Sequence, residues 1–357
     1  MKRFFFICLL LLTLIPCAPA VAYAAEKEAS DTSGVNVSEV IFSHIGDSYE
    51  WHMWTWKGHP VAIYLPVILY SKTSGWHVFS SKHIAEGETY EGFRIQTDAL
   101  KYSSKLVEVA PDGSVTRPLD LSITKNVLSL MISSLLILVI VLLTARWYKT
   151  HDSEKKAPEG LAAFMEPVIM MIHDMARENI GEEEYKKYSP YLITVFLFII
   201  TNNFLGVIPI FPGGANLTGN IACTLVLALF TFFIVNLFGN KEYYKEIFLP
   251  DVPVFLKPIM PVIEVFSAIM KPVSLTVRLF ANMLAGHIQI LSVMCLIFIM
   301  AKYGGALLGG MTVVSVLFGL FLDVLELLIS FIQAFVFTML SSIYIGLAHQ
   351  KETHKQS

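Results

Sequence analysis

Apolar positions along this chain come in two regimes, long charge-free blocks and a shorter stretch of broken, alternating runs. No Asp, Glu, Lys or Arg lies between Lys187 and Lys241, and only Asp323 and Glu326 interrupt the stretch from Tyr303 to Gln350. A helix crosses a bilayer in roughly 20 residues, so each block is longer than one crossing needs. Pro209, Pro212, Gly213 and Gly214 divide the first block, which predicts two spans joined by a tight external hairpin. Residues 126–144 predict an earlier span. Residues 262–301 and 307–349 predict two helices which, at about 1.5 Å per residue, exceed the roughly 30 Å hydrocarbon layer and must tilt, bend or run partly along it. Within 164–180, Val168, Ile169, Ile172 and Met175 fall on one side and Glu166, His173, Asp174 and Arg177 elsewhere, the pattern of an amphipathic helix at the membrane surface.

Residues 26–124 differ. Runs at 61–70, 76–80, 92–96 and 105–109 carry β-branched and aromatic residues between Gly, Pro, Ser and Asp, which predicts a small β-rich domain. Before it, Lys2 and Arg3 precede an apolar run at 4–15 and the small-residue site Ala22-Tyr23-Ala24, the layout of a secretory signal peptide cleaved near Ala24 or Ala25. Pro16 ahead of Cys17 is unlike a lipoprotein cleavage site. The expected organisation is therefore a signal peptide at 1–25, an extracytoplasmic β-rich domain at 26–124 and a membrane domain at 125–357. The expected fold class is mainly α, a polytopic membrane protein with about five membrane-intrinsic helices, two of them long and tilted.

Composition narrows the function. Hydrophobic residues make up 55% of the 357 and charged residues 15%, against about 25% charged in soluble domains, which excludes a purely soluble enzyme. The net charge of -3 implies no nucleic-acid partner. Cys8, Cys17, Cys223 and Cys295 lie in apolar segments and form no disulfide framework. Trp51, Trp54 and Trp56 interleave with His52 and His59, and His44, His77 and His83 lie nearby, but their spacing matches no zinc pattern; aromatic packing is the expected reading and no metal site is assigned. Arg146, Lys149, Lys155 and Lys156 follow the first span, which orients that flank, Lys241 and Lys245, and the tail with Lys351 and Lys355 toward the cytoplasm.

The chemistry-bearing residues are charges inside the apolar blocks, where each costs about 2.5–3.5 kcal/mol on insertion scales and marks a pathway or a paired site. Glu264, Ser267, Lys271, Ser274, Arg278, Asn282 and Gln289 follow at helical spacings and form one polar stripe. His287 stands nine residues beyond Arg278, a rotation that turns it to the opposite side. Asp323, Glu326, Ser330, Gln333 and Tyr344 form a second stripe. Arg278 cannot shed its proton, so its surroundings must supply a carboxylate, dipoles or water; Glu326 or a partner's carboxylate is the candidate. A proton-coupled secondary transporter would also place Arg, His and Glu within helices, although it usually carries inverted repeats, and none is visible. A membrane-anchored binding protein would not need the polar stripes.

The run from Lys271 to His287, Lys-Pro-Val-Ser-Leu-Thr-Val-Arg-Leu-Phe-Ala-Asn-Met-Leu-Ala-Gly-His, closely resembles the signature of subunit a of the F-type ATP synthase. Glu326, then Gln333 to Phe337 and Tyr344, resemble that subunit's last helix, and the resemblance extends over about 126–349, including the run at 202–209 and Asn220 to Thr224. His287 and Glu326 stand in the exchanged order relative to many bacterial members, as in mitochondrial ones. The resemblance implies two offset half-channels beside a rotating c-ring, with Arg278 opposite the ring carboxylate and Glu264, Asn282, His287, Glu326 and Gln333 lining water or relaying protons. It further implies subunit b and, indirectly, the soluble F1 sector as partners, no cofactor, and a multi-pass place in the bacterial inner membrane, with proton transport in service of ATP synthesis. A sodium-translocating form carries the same signature. No Gly-x4-Gly-Lys-Ser/Thr loop occurs, so nucleotide chemistry belongs to another chain and this subunit is not an enzyme by itself. The extra domain at 26–124 lies outside that family's common core.

Overall fold

The computed structural model describes residues 46–56, 59–96, 105–109, 115–151, 156–208, 213–248, 253, 257, 259–301 and 305–349. The signal segment, His44, Pro209, Pro212 and the tail beyond His349 lie outside the described residues, as do the side chains of His52 and His59. The chain divides into two compact units, one holding 1–132, 208–215 and 288–323 and the other 133–207, 216–287 and 324–357.

In the first unit eight strands are described: β1 (Glu50–Trp56), β2 (His59–Tyr64), β3 (Pro66–Ser71), β4 (Gly75–Ser80), β5 (Phe93–Ile95), β6 (Leu106–Val109), β7 (Val115–Thr116) and β8 (Leu119–Asp120). All their pairings are antiparallel, in the orders β1-β2, β4-β3-β8 and β5-β6-β7. Alternation decides the faces: Val67, Leu69 and Phe79 turn inward and join Tyr49, Ile84, Phe93 and Leu106 in one core. The expected run at 61–70 is two strands rather than one, because Leu65 between them is buried and its N–H donates to the Ser81 hydroxyl (3.0 Å). The Trp-rich segment read as aromatic packing is itself a strand, β1. After β8 the chain keeps alongside β3, with the Leu121 and Ile123 N–H groups donating to the carbonyls of Ile68 and Pro66, and then enters the first helix.

Seven α-helices are described: α1 (Lys125–Thr150), α2 (Leu161–Ile180), α3 (Tyr185–Val207), α4 (Ile221–Leu237), α5 (Lys241–Phe248), α6 (Met260–Ala301) and α7 (Gly305–His349). Four regions are long and apolar enough to cross a membrane, Lys125–Thr150, Tyr185–Val207, Met260–Leu296 and Gly309–His349, and α4 is a shorter apolar helix of 17 residues. The chain is a polytopic membrane protein, mainly α, with a β-rich N-terminal part. Between α3 and α4 the chain runs from Ile208 to Asn220, longer than the tight hairpin expected, and Ala215, Asn216, Leu217 and Thr218 in it are buried. Asn220 caps α4 by accepting from the Ala222 N–H.

The core of the second unit draws Ile172 and Met175 from α2, Leu192, Phe196 and Ile199 from α3, Ala228 and Val235 from α4, Leu275, Leu279 and Met283 from α6, and Ala334, Phe337 and Ile345 from α7. The apolar positions of α2 thus pack on neighbouring helices. Gly346 is what lets α7 meet the end of α2, since a Cβ there would collide with the Asn179 carbonyl oxygen.

Candidate functional site

The middle of α6 carries two faces of different character. Leu275, Thr276, Leu279 and Met283 are buried, whereas Ser274, Val277, Arg278, Ala281, Asn282, Ala285 and Gln289 are exposed on the chain by itself. The local reason is helical phase: the buried positions recur every three or four residues and the polar stripe falls between them. Among the described residues Arg278 meets no carboxylate within ion-pair distance. It is flanked by Ser274, Ala281 and Ala285, whose small side chains leave room for another helix to come close.

His287 faces the other way. Its Nδ1 stands 2.8 Å from Oε1 of Glu326 on α7, and the two side chains are 15% and 4% exposed. The approach does not have hydrogen-bond angles, and neither Glu326 oxygen has a hydrogen-bond partner among the described residues. Glu326 is therefore next to His287 and not next to Arg278, which removes it as the guanidinium's partner. Gly286 makes the approach feasible: a Cβ there would lie 2.9 Å from Glu326 Oε1 and 3.1 Å from its Cδ.

A buried polar chain ends one helical turn short of this pair. The Thr218 hydroxyl donates to Asn203 Oδ1 (2.6 Å), the Asn203 amide donates to the Ser330 carbonyl (3.4 Å), and Ser330 lies one helical turn from Glu326. Sequence reading gave no role to Asn203 or Thr218. The signal was two adjacent asparagines, Asn202 and Asn203, in a charge-free run; Asn202 donates back to the Phe198 carbonyl (2.8 Å), whereas the partners of Asn203 lie farther along the chain.

A second polar group lies toward the other end of the same helices. Lys271 Nζ sits 5.3 Å from the centroid of the Tyr344 ring. The two residues line a small cavity of about 10 Å³ with Thr231, Asn236 and Tyr243. Thr231 is joined to Tyr191 (2.8 Å) and to Ser341 (3.2 Å) through hydroxyl contacts. The Tyr243 phenol, on α5, is pushed up by burial and then by the neighbouring Tyr244 and Glu264. Along α6, Lys271 and His287 are 16 residues apart, about 24 Å at helical rise, and Arg278 lies between them. Of the remaining expected site residues, Glu264 and Gln333 are half-buried and Asn282 is exposed beside Arg278. Asp323 is buried.

Residues 129–346 match the family model described as ATP synthase A chain, and residues 40–121 match one described as a domain of unknown function (DUF8433). The chain is similar to "ATP synthase subunit a 2" of Prosthecochloris aestuarii, 40% identical over 290 residues that cover 78% of this chain and 86% of that one. It is also similar to "ATP synthase subunit a" of Pelodictyon phaeoclathratiforme, 43% identical over 76% of this chain and 80% of that one. "ATP synthase subunit a" of Myxococcus xanthus is 38% identical over 66% and 77%.

Proposed function

The chain belongs to the ATP synthase A chain family, and from that premise we propose that it conducts protons past a rotating c-ring through two half-channels separated by Arg278. The observation that carries the reading is the placement of Arg278: on the exposed face of α6, without a carboxylate of its own among the described residues, and between two separate polar groups. A permanently charged guanidinium in an apolar segment needs a counter-charge. On this reading the counter-charge is the carboxylate of each ring subunit in turn.

The sequence of events follows from electrostatics. A ring carboxyl facing lipid is neutral, because an isolated charge there is prohibitively costly. On nearing Arg278 it gives its proton to one half-channel, since the guanidinium favours the carboxylate form. Once past Arg278 it takes a proton from the other half-channel and re-enters lipid neutral. Arg278 meanwhile repels a proton moving directly between the channels. Net transfer then requires rotation.

His287 and Glu326 are proposed as a relay in one half-channel, with the Thr218–Asn203 link bracing the neighbouring turn of α7. A proton in transit can be held on Nδ1 of the imidazole or on the carboxyl, both groups suited to general acid–base transfer. Gln333 and Asn282 extend the polar path toward the ring. Lys271, Tyr344 and Glu264 border the second half-channel. Signal peptide and basic flanks support an extracytoplasmic β-rich domain and a cytoplasmic C-terminus in a bacterial inner membrane. Subunit b and the F1 sector complete the proposed partners, and F1 holds the nucleotide chemistry.

Cysteine cross-linking in the assembled complex tests the ring-facing surface. Cysteines at Ser274 and Asn282 should form disulfides with cysteines placed near the ring carboxyl, and a cysteine at the buried Leu279 should not. Cross-linking from Leu279 alone would overturn the assignment.

A further inference from the structure

Outside the proton path, α2, α3 and the part of α1 from Ser133 onward bound an open groove of about 440 Å³. Its lining is graded. Lys186, Ser189 and His173 lie at one end, and Ile137, Ile193 and Leu197 extend it into apolar surroundings. Among the described residues no carboxylate lines it, so the Lys186 ammonium gives that end a positive charge, and the Ser189 hydroxyl and His173 ring add polar groups. From Lys186 to Leu197 is 11 residues of helix, about 16 Å. That length is close to half of the roughly 30 Å hydrocarbon layer.

We propose that this groove binds one anionic phospholipid of the leaflet on the basic side, headgroup at Lys186 and acyl chain along Ile193 and Leu197. Charge complementarity selects the headgroup, because basic pockets between membrane helices hold anionic headgroups at the leaflet boundary. The length selects a lipid over a helix of another subunit, which needs about 20 residues to cross both leaflets and would outrun the groove. Lys186 is exposed, so its stem lies along apolar surface while the ammonium reaches the boundary. Nothing in this binding uses Arg278 or the His287–Glu326 pair.

The test uses the complete purified complex in phosphatidylcholine nanodiscs containing phosphatidylglycerol with a photoreactive acyl chain. Cross-links should map to 137–141 and 193–197 and be competed by unlabelled phosphatidylglycerol, and a phosphatidylcholine probe with the same chain should label these segments weakly. Lys186→Gln should lower the labelling about fivefold, and Lys186→Arg should keep it. Ile193→Trp, which fills the groove and leaves its charge alone, should also remove it. Equal labelling by both probes, labelling insensitive to Lys186→Gln, or cross-links from these segments to another subunit's helix would each overturn the proposal.

Discussion

Adding one methyl group at Gly286 tests whether the His287–Glu326 approach carries protons. The Cβ of an alanine there would sit 2.9 Å from Glu326 Oε1, where ordinary contact begins at 3.4 Å, so the carboxyl must retreat by about half an ångström. It cannot retreat toward His287, because 2.8 Å to Nδ1 is already hydrogen-bonding distance. A retreat directly away from His287 lengthens the approach to about 3.3 Å, past the usual range, and a sideways one turns the carboxyl off the imidazole. Misplacing a reacting group by about 1 Å costs on the order of 100-fold in rate, so a shift half as large should cost about tenfold. The assay is passive proton conduction through the membrane sector in vesicles stripped of F1, driven by a potassium diffusion potential, with assembly checked on native gels. Gly286→Ala should conduct about tenfold more slowly in fully assembled complexes. Because the methyl acts through the carboxyl, it should have little further effect in a Glu326→Ala background. Wild-type conduction by Gly286→Ala, or an equal loss with and without Glu326, would refute the reasoning.

Two further outcomes concern stability. Thr218→Val keeps the side-chain shape but leaves buried Asn203 Oδ1 without its donor, which should destabilise the helical unit by about 1–3 kcal/mol and lower the thermal midpoint of the purified complex. In the β-rich part, burial and the hydrogen bond to Asp120 Oδ2 (2.5 Å) push the Tyr49 phenol above its ordinary value of 10.0. Stability from this source is complete below that value and falls as pH rises above it, because the unfolded chain loses the phenolic proton first. Tryptophan-fluorescence melts should show that alkaline fall in the wild type and a flatter profile, from a lower starting stability, in Tyr49→Phe.

Much of the architecture was legible because charge is so costly in a bilayer. Two blanks in the charge pattern fell on α3, α4 and α7, and the nine-residue interval from Arg278 correctly turned His287 away from the guanidinium. Helical phase tells which face a residue occupies and not which neighbour it meets, so Glu326 stood as a candidate for Arg278 although it lies beside His287. The link between Asn203 and Thr218 was not legible for the same reason, since it joins a helix to a folded loop. The short helix α5 (Lys241–Phe248) was missed because eight residues with two lysines and two glutamates look like a solvated connection. β1 was hidden by its tryptophans, which suit a strand as well as a core cluster.

The central claim is that Arg278 couples proton transfer to rotation. Its most direct test is ATP-driven acidification of inverted membrane vesicles, compared between wild type and Arg278→Ala in sodium-free buffer, with ATP hydrolysis and assembly measured on the same preparations. The wild type should acidify robustly without sodium, and Arg278→Ala not at all although the complex is assembled and still hydrolyses ATP. Acidification at the wild-type rate by Arg278→Ala would contradict it, as would a wild-type complex that acidifies only when sodium is present.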